Sequence, residues 1–181
     1  MGLFGGGLRK PKSVRVGDKR LSEILEGHER FTRAAEGGAR AELAGADLAR
    51  VDLTGANLTH ANLSRARLKG ACLRTAKLTS ADLAGADLRG ADLRTCDLTG
   101  ANVAEADLSG ADLSGAEVYG TDLSRAVFRG AKLRAANFRR AILRNADLRG
   151  ADLNVASVRQ SDLEGAQLEG ADTQTAVIRN V

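Results

Sequence analysis

The sequence is poor in aromatic residues, proline, cysteine and histidine. Its 181 residues include no Trp, one Tyr, four Phe and one Pro, so the large side chains that usually fill a core are scarce. Two Cys cannot supply a disulfide framework, and His28 and His60 are too few for most His-based metal or catalytic sites. No apolar run reaches the length of about 18 residues that a transmembrane helix needs. We therefore expect a cytoplasmic, non-enzymatic protein without cofactor or metal.

Positive charge is concentrated at the N-terminus. Residues 1–40 carry nine Lys or Arg against five Asp or Glu, whereas residues 41–181 carry 18 of each sign. The high isoelectric point therefore belongs to the N-terminal segment and is poor evidence that the whole chain binds nucleic acid. We expect residues 1–17 to be a basic, flexible tail, in which Val14 and Val16 add a short strand to the edge of the first coil.

A five-residue repeat runs from Ala41 to Ile178 without insertion or deletion. Its central position, written i, falls on every fifth residue from 43 to 178, and 21 of these 28 residues are Leu. Position i−2 is Ala in 24 units, all 13 Asp after residue 41 stand at i−1, and all 13 Gly after residue 41 stand at i+2. Such a strict period indicates a solenoid, because each unit repeats the same local structure.

A period of five fits neither a continuous helix nor a continuous strand. Five helical residues rotate the chain by about 500°, which would spread the Leu side chains around the helix. In a strand, an odd period would place successive Leu on opposite faces. The chain must therefore turn once per unit, with positions i and i−2 inside. Gly at i+2 permits that turn, and Asp or Asn at i−1 can bond nearby backbone groups.

Two units show the motif in its simplest form: Ala-Asp-Leu-Ala-Gly at 81–85 and Ala-Asp-Leu-Ser-Gly at 106–110. In these units and in their uninterrupted succession, the chain resembles the pentapeptide-repeat family. The resemblance implies an all-β solenoid, a right-handed quadrilateral β-helix with four units per coil. The 28 units over residues 41–181 then make about seven coils.

Residues 18–40 are predicted to form an amphipathic capping helix followed by a Gly turn. Apolar side chains recur at helical spacing over 18–36, and Gly37 and Gly38 would end the helix. A solenoid needs such a cap because its first coil would otherwise leave an open edge. His28 falls on the apolar stripe and is predicted to be a packed or hydrogen-bonded residue rather than a ligand.

Few residues in the repeat are candidates for special chemistry. Cys72 at i−1 should face outward and Cys96 at i−2 inward, so they should not pair. His60 falls at an i+2 corner, where solvation is expected. Phe128 and Phe138 stand on opposite walls of about the same coil and should meet in the lumen. The Asp residues follow the repeat phase, so we assign them structural roles and predict no catalytic residues.

Charge is banded along the repeat, with net charges of +5 over 65–81, −7 over 82–122, +7 over 123–149 and −3 over 150–181. Basic side chains of the third band occupy outward positions around one coil and form what we call the Arg belt: Arg129, Arg134, Arg139, Arg140, Arg144 and Arg149. The belt is either a solvated surface compensated by acidic coils within a Debye length of about 8–10 Å, or a site for an acidic protein or a nucleic acid.

The pattern favours a structural or protein-interaction scaffold, bacterial and cytoplasmic, that presents its charge bands to an unknown protein partner. One alternative is binding of DNA gyrase, which the resemblance implies because some family members, the quinolone-resistance proteins, mimic DNA. The neutral repeat and the Arg belt disfavour it. A second alternative is binding of nucleic acid or an anionic membrane surface through the basic N-terminus and the Arg belt.

The C-terminal coils are predicted to join two copies of the chain. No capping element follows the repeat, and an unpaired coil edge invites pairing with another chain. A two-fold contact closes at two subunits, and the resemblance also implies a homodimer. The candidate dimer edge consists of Thr173, Val177, Ile178 and Val181.

Overall fold

The structure is a computed structural model that describes residues 7–179. Its helices and paired strands lie near the two ends of that range. In chain order they are a 3₁₀ helix Pro11–Ser13, strands β1 Arg15–Val16 and β2 Lys19–Arg20, helix α1 Leu21–Thr32, strand β3 Ser157–Arg159, a 3₁₀ helix Gln160–Leu163 and strand β4 Val177–Arg179.

Between these ends, the chain coils with a period of 20 residues. Residues at i−1 form parallel β-bridges to the residue 20 positions later, from Glu42 with Asn62 to Asp152 with Asp172. Each coil therefore contains four five-residue units, which form four sides. We name the sides by their first unit: side A begins at Leu43, side B at Leu48, side C at Leu53 and side D at Leu58.

Backbone hydrogen bonds hold successive coils together. The Leu83 N–H donates to the Asn102 carbonyl at 2.7 Å, and the Asn102 N–H donates to the Ala81 carbonyl at 2.9 Å. Each coil thus satisfies the backbone groups of its neighbour through donors and acceptors that proline would remove.

The corners require an uncommon backbone conformation. Every residue at i+2 from Gly45 to Val155 has a positive φ, for example 65° at Gly85. Glycine adopts this region without penalty, whereas a β-branched residue such as Val155, with φ of 63°, is strained there. The pattern is interrupted at Gln160, where the chain forms a 3₁₀ helix instead of a left-handed corner, and resumes at Gly165 and Gly170.

The lumen is filled by the inward positions i and i−2, as the repeat predicts. Phe128 and Phe138 meet edge to face with their ring centroids 6.5 Å apart, which confirms the predicted pair. Thr121 replaces Ala at i−2 and donates its hydroxyl proton to the Leu98 carbonyl at 2.7 Å, so the buried polar group is satisfied. Cys96 is buried, and this desolvation raises the pKa of its thiol to about 12.

Helix α1 is shorter than the predicted 18–36. It begins at Leu21, where the Arg20 N–H donates to the Glu23 carboxylate at 3.0 Å and Glu23 lies near the positive end of the helix. It ends at Thr32, before the Gly37–Gly38 pair, because Ala34 already turns to a positive φ of 51°. The sequence stripe therefore marked the apolar face of the helix but not its ends.

Two side chains of α1 contact the first coil. The Ala41 N–H donates to His28 Nδ1 at 3.0 Å, and the Asn57 amide donates to the Thr32 hydroxyl at 3.0 Å. Leu21 is fully buried and belongs to the same apolar core as the Leu columns of the coils. The helix and the repeat therefore share one core.

The N-terminal residue that pairs with the first coil is Arg9, in an isolated β-bridge, rather than Val14 or Val16. Arg9 pairs in parallel with Val51: the Arg9 N–H donates to the Arg50 carbonyl at 2.7 Å, and the Arg9 carbonyl accepts from Asp52. Val16 lies in a short strand, as expected, but the expected pairing with the first coil was wrong, because Gly17, with φ of 58°, folds β1 back on β2 in an antiparallel pair. Residues 1–6 of the predicted tail lie outside the described residues.

Candidate functional site

The six members of the Arg belt are distributed over all four sides of the solenoid, as their repeat positions predict. Arg129 and Arg149 lie on side B, Arg134 on side C and Arg144 on side A. The other two members, Arg139 and Arg140, lie on side D and at the corner that follows it. All have exposed or partly exposed side chains.

Four belt members are held in ion pairs by carboxylates of the same wall. The Asp147 carboxylate lies between Arg129 and Arg149, with Arg149 Nη2 at 2.7 Å. Hydrogen bonds from Arg149 first, and then from Arg129, hold the pKa of Asp147 well below its ordinary value. Arg134 pairs with Asp152 at 3.3 Å and Arg144 with Glu164 at 3.0 Å. On sides A and C each belt arginine therefore has a carboxylate of its own, and on side B the two belt arginines share one.

The two belt arginines on side D and at the corner that follows it contact neutral groups. Arg139 Nε donates to the Asn137 side-chain oxygen at 3.1 Å. The guanidinium carbon of Arg140 lies 5.7 Å from the ring centroid of Tyr119, in a cation–π contact. The nearby Glu117 carboxylate accepts from the Asn137 amide at 2.6 Å rather than from an arginine. Within residues 7–179, Arg139 and Arg140 are the belt members that make no ion pair.

The acids that pair with the belt arginines were not predicted from the sequence. Asp147 and Asp152 each follow their arginine partner, Arg129 and Arg134, by 18 residues. With coils of 20 residues, this spacing joins position i+1 of one coil to position i−1 of the next. This 18-residue spacing is present in the sequence. It becomes visible only when the sequence is aligned in 20-residue coils instead of five-residue units.

The basic N-terminal segment is also partly neutralised by the repeat. Lys10 Nζ bonds Asp52 Oδ2 at 2.7 Å and, together with the Thr54 side chain and backbone N–H, lowers the pKa of Asp52 to about 2. Arg9 Nη1 donates to the Ala49 carbonyl at 3.2 Å and lies 3.9 Å from Asp47. These contacts place Arg9 and Lys10 on the first coil.

The histidines and cysteines occupy structural positions. His28 is fully buried, its Nδ1 accepts the Ala41 N–H, and burial lowers its pKa; the packed, hydrogen-bonded interpretation is confirmed. His60 lies at an exposed corner. Cys72 stands at the outward position i−1 but is nearly covered, with its Sγ 3.1 Å from the Thr54 hydroxyl. Both cysteines are free thiols.

Residues 7–179 contain neither a cluster of metal-ligating side chains nor a helix that could span a membrane. In that part of the chain, no three His, Cys, Asp or Glu side chains are grouped as metal ligands would be. None of the helices described there is long and apolar enough to cross a bilayer.

The candidate dimer edge is described only in part. Thr173 is partly buried, and Val177 and Ile178 belong to β4, which pairs in parallel with β3. Val181 lies outside the described residues. The dimer therefore stays a prediction.

Comparison with known proteins places the repeat. The family model "Pentapeptide repeats" matches residues 41–79, 76–115 and 121–160. A search of curated proteins finds no match. Solved structures with similar folds include QnrB1, described as a plasmid-mediated fluoroquinolone resistance protein. It is 20% identical, with a TM-score of 0.52 and coverage of 77% of this chain and 80% of that chain.

Two other solved relatives have lower TM-scores. A pentapeptide repeat protein of the Arabidopsis thaliana thylakoid lumen is 34% identical, with a TM-score of 0.42 and coverage of 57% of this chain and 69% of that one. HetL of the cyanobacterium Nostoc, described as involved in heterocyst differentiation regulation, is 27% identical, with a TM-score of 0.24 and coverage of 86% and 93%. The matched segments make up more than half of the sequence, and the chain belongs to the pentapeptide repeat family, whose fold is a right-handed β-helix solenoid.

Proposed function

We propose that this protein is a non-enzymatic scaffold that binds a protein partner through its outer wall. The observation that carries the proposal is the division of the repeat into a filled lumen and a variable surface. Leu, Ala and Phe side chains occupy the inward positions, so a substrate has no space there. The residues that differ from unit to unit, at i−1, i+1 and i+2, face outward and present a pattern of charge.

Recognition by such a wall depends on the fixed spacing of its side chains. Hydrogen-bonded coils stand about 4.8 Å apart, so residues 20 positions apart form straight columns whose geometry is set before the partner arrives. Preorganised charges of this kind favour specificity and rapid association. The Arg belt is the surface that fits an acidic protein.

We further propose the overall arrangement of the solenoid. The 28 units form about seven coils, and α1 caps the N-terminal end. The contacts of His28 and Thr32 with the first coil support this role for the helix. The free thiols of Cys72 and Cys96 support a reducing compartment such as the bacterial cytoplasm.

We also propose that two copies join through their C-terminal coils. Strand β4 pairs with β3 along one edge, and its other edge would take the same strand of a second copy. Light scattering after size-exclusion chromatography should give twice the monomer mass. The double variant Ile178→Lys, Val181→Lys should give the monomer mass. A wild-type protein that remains monomeric at about 100 μM, far above a micromolar Kd, would contradict the dimer.

Capture of partners from an extract of the source organism tests the scaffold function. Tagged wild-type protein should retain a small set of proteins after nuclease treatment and release them as salt rises, because charge directs the contact. A variant with all six belt arginines changed to Gln is the control and should retain less. If no protein is enriched by the wild type over the control, the scaffold proposal is wrong.

The second candidate is binding of a type II topoisomerase such as DNA gyrase. It is favoured by the fold shared with QnrB1, a fluoroquinolone resistance protein. It is disfavoured by the zero net charge of residues 41–181, since imitation of DNA requires an extended acidic surface. A supercoiling assay with micromolar protein separates the two candidates, because a scaffold for another partner leaves gyrase activity unchanged.

A further inference from the structure

Charge is divided unequally among the four sides although the repeat is neutral overall. Over residues 41–181, side A carries a net charge of −3, side B of +1, side C of −1 and side D of +3. The charged residues of side D are Lys77, Arg139, Arg140, Arg159 and Arg179 against Asp97 and Glu117. Positive charge therefore accumulates along one side of the wall and not around its circumference.

Side D also holds the belt members whose charge is least compensated. An approaching carboxylate would have to displace the wall's own acids from Arg129, Arg134, Arg144 or Arg149. At Arg139 it would displace only a neutral amide oxygen, and Arg140 contacts an aromatic ring. A new ion pair therefore offsets the cost of desolvating these two guanidinium groups more fully than it would at the belt arginines that already have a carboxylate partner.

A cavity lies beside this surface, at the corner between sides D and A. Its volume is about 250 Å³. Six of the residues that line it are Arg140, Ile142, Arg144, Arg159, Asp162 and Glu164. Ile142 occupies the outward position i−1 and is 49% exposed. The cavity thus combines an exposed apolar side chain with charged groups of both signs.

The cavity coincides with an interruption of the hydrogen-bond ladder. One coil earlier, the Gly120 N–H donates to the Arg139 carbonyl and the Ile142 N–H donates to the Thr121 carbonyl. The equivalent bonds of the Arg140 N–H and the Asp162 N–H to the adjoining coil are missing among residues 7–179. The cause is the 3₁₀ helix Gln160–Leu163, which replaces the corner and draws the next coil out of register.

We propose that side D, from Tyr119 to the cavity beside Ile142, binds an acidic segment of the partner protein; this deepens the proposed scaffold function and rests on it. Carboxylates of the segment pair with Arg139 and Arg140, and an apolar side chain packs on Ile142. Tyr and Arg are the residue types that contribute most at protein interfaces.

The same surface fits a nucleic acid poorly. Glu117 stands on side D, and Asp162 and Glu164 line the cavity, so a continuous phosphate backbone would meet three carboxylates. Tyr119 is the single tyrosine of a chain without tryptophan, whereas single-stranded nucleic acids are usually held by several stacking aromatic residues. A peptide can place its acidic side chains on the arginines and leave neutral ones beside the carboxylates.

The single Tyr gives the test a local readout. We would titrate the protein with a ten-residue peptide in which glutamates alternate with neutral residues and one residue is leucine, follow the fluorescence of Tyr119, and measure affinity by calorimetry. The peptide should change the Tyr119 emission and saturate. The variant Arg139→Gln, Arg140→Gln should bind the peptide about tenfold more weakly. The matched control Arg129→Gln, Arg134→Gln removes the same charge from the belt on sides B and C, away from the cavity, and should change the affinity less than about threefold.

Equal weakening by the two double variants would overturn side D as the site, as would tighter binding of a twenty-nucleotide oligothymidylate than of the peptide. Melting temperatures of both variants check that they fold. The captured partner separates this inference from the scaffold function. If the side D variant keeps a partner that the wild type captures, the scaffold stands and the side D site is wrong. If no protein is captured, the scaffold itself is wrong whatever the peptide does.

Discussion

The lumen and the outer wall of the solenoid obey different rules although they alternate along the same five residues. Inside, the same two residue types recur, and a departure such as Thr121 is accommodated by one hydrogen bond. Outside, neighbouring units differ in charge, and the differences become meaningful only along columns of residues 20 positions apart. The inward positions therefore specify the fold, and the outward positions are available for recognition.

Replacing one inward Leu by a charged residue should have the largest effect on stability. Leu88 is 1% exposed, and Leu88→Asp would bury an unpaired charge, so the variant should fail to fold. Arg89, the next residue, is exposed and pairs with Asp87 at 2.7 Å. Arg89→Gln should cost less than about 1 kcal/mol. Circular dichroism and urea unfolding measure both. Comparable stability of the two variants would refute the assigned phase.

Asp147 is an outer-wall residue that also stabilises the fold. Asp147 is buried between Arg129 and Arg149, so Asp147→Asn should lower the free energy of unfolding by about 1.5–3 kcal/mol. The control Asp107→Asn, at the same phase of side B, removes a more exposed carboxylate and should cost less than about 1 kcal/mol. Urea unfolding at pH 7 distinguishes the two variants. Equal losses of unfolding free energy would contradict the clamp, by which we mean the pairing of Asp147 with Arg129 and Arg149.

The pH dependence of Asp147 has a definite sign. Its pKa is lowered in the folded protein, so its stabilisation is complete above the unfolded value of about 3.9 and is lost as pH falls below it. Wild type and Asp147→Asn should therefore converge in stability as the pH is lowered from 5 toward 2. A difference that stays constant over this range would mean that the ionised carboxylate contributes nothing.

The junction between α1 and the first coil should respond to milder acid. Burial lowers the pKa of His28, with Arg40 and His60 acting in the same direction, whereas the Thr59 backbone and Glu29 oppose the shift. Its neutral form is favoured in the fold, so the stabilisation is complete above about pH 6.5 and is lost below it. Amide exchange of Ala41, whose N–H donates to His28, should accelerate below pH 6 more than expected from intrinsic rates, whereas exchange of Leu88 should not. Equal protection of Ala41 at pH 7.5 and 5.5 would contradict this role.

The smallest expected effect is a stabilisation at a corner. Val155 is 53% exposed and has a positive φ, which costs a β-branched residue about 1–2 kcal/mol. Glycine removes this strain and loses about 0.5–1 kcal/mol of chain entropy. Val155→Gly should therefore gain about 0.5–1 kcal/mol. Ser124→Gly, at an outward position without positive φ, should lose a similar amount. A loss in Val155→Gly would show that its side chain contributes packing.

The features predictable from the sequence were those that recur in every unit. A five-residue period requires a turn in each unit, and this requirement placed the Leu columns inside and brought Phe128 and Phe138 together. The apolar stripe likewise located α1 and the packed role of His28. These inferences need only local spacing and the burial of apolar groups.

The features that escaped the sequence analysis depend on contacts between distant segments. The pairing of Arg9 with Val51 and the clamp on Asp147 join residues 42 and 18 positions apart, respectively. The end of α1 at Thr32 depends on the left-handed turn at Ala34 rather than on the Gly pair. The positive net charge of side D is a sum over residues of several coils. None of these has a signal within a single repeat unit.

Amide hydrogen exchange measured residue by residue tests the central claim that the wall is a 20-residue coil with an inner lattice and a free outer surface. In a regular unit, the N–H groups at i, i+2, i−2 and i−1 donate to backbone carbonyls, as Leu88, Gly90, Ala91 and Asp92 do. The N–H at i+1 donates at most to the side chain at i−1, as Arg89 does to Asp87 at 3.2 Å.

Exchange should therefore be slow at four residues and fast at the fifth, with a period of five from Asn62, where the i−1 amides begin to donate to the preceding coil, through Leu153. The Arg140 amide should exchange faster than its equivalent Gly120, one coil earlier. Protection in continuous runs, or without the period of five, would contradict the fold described here. Protection of Arg140 equal to that of Gly120 would contradict the opened corner on side D.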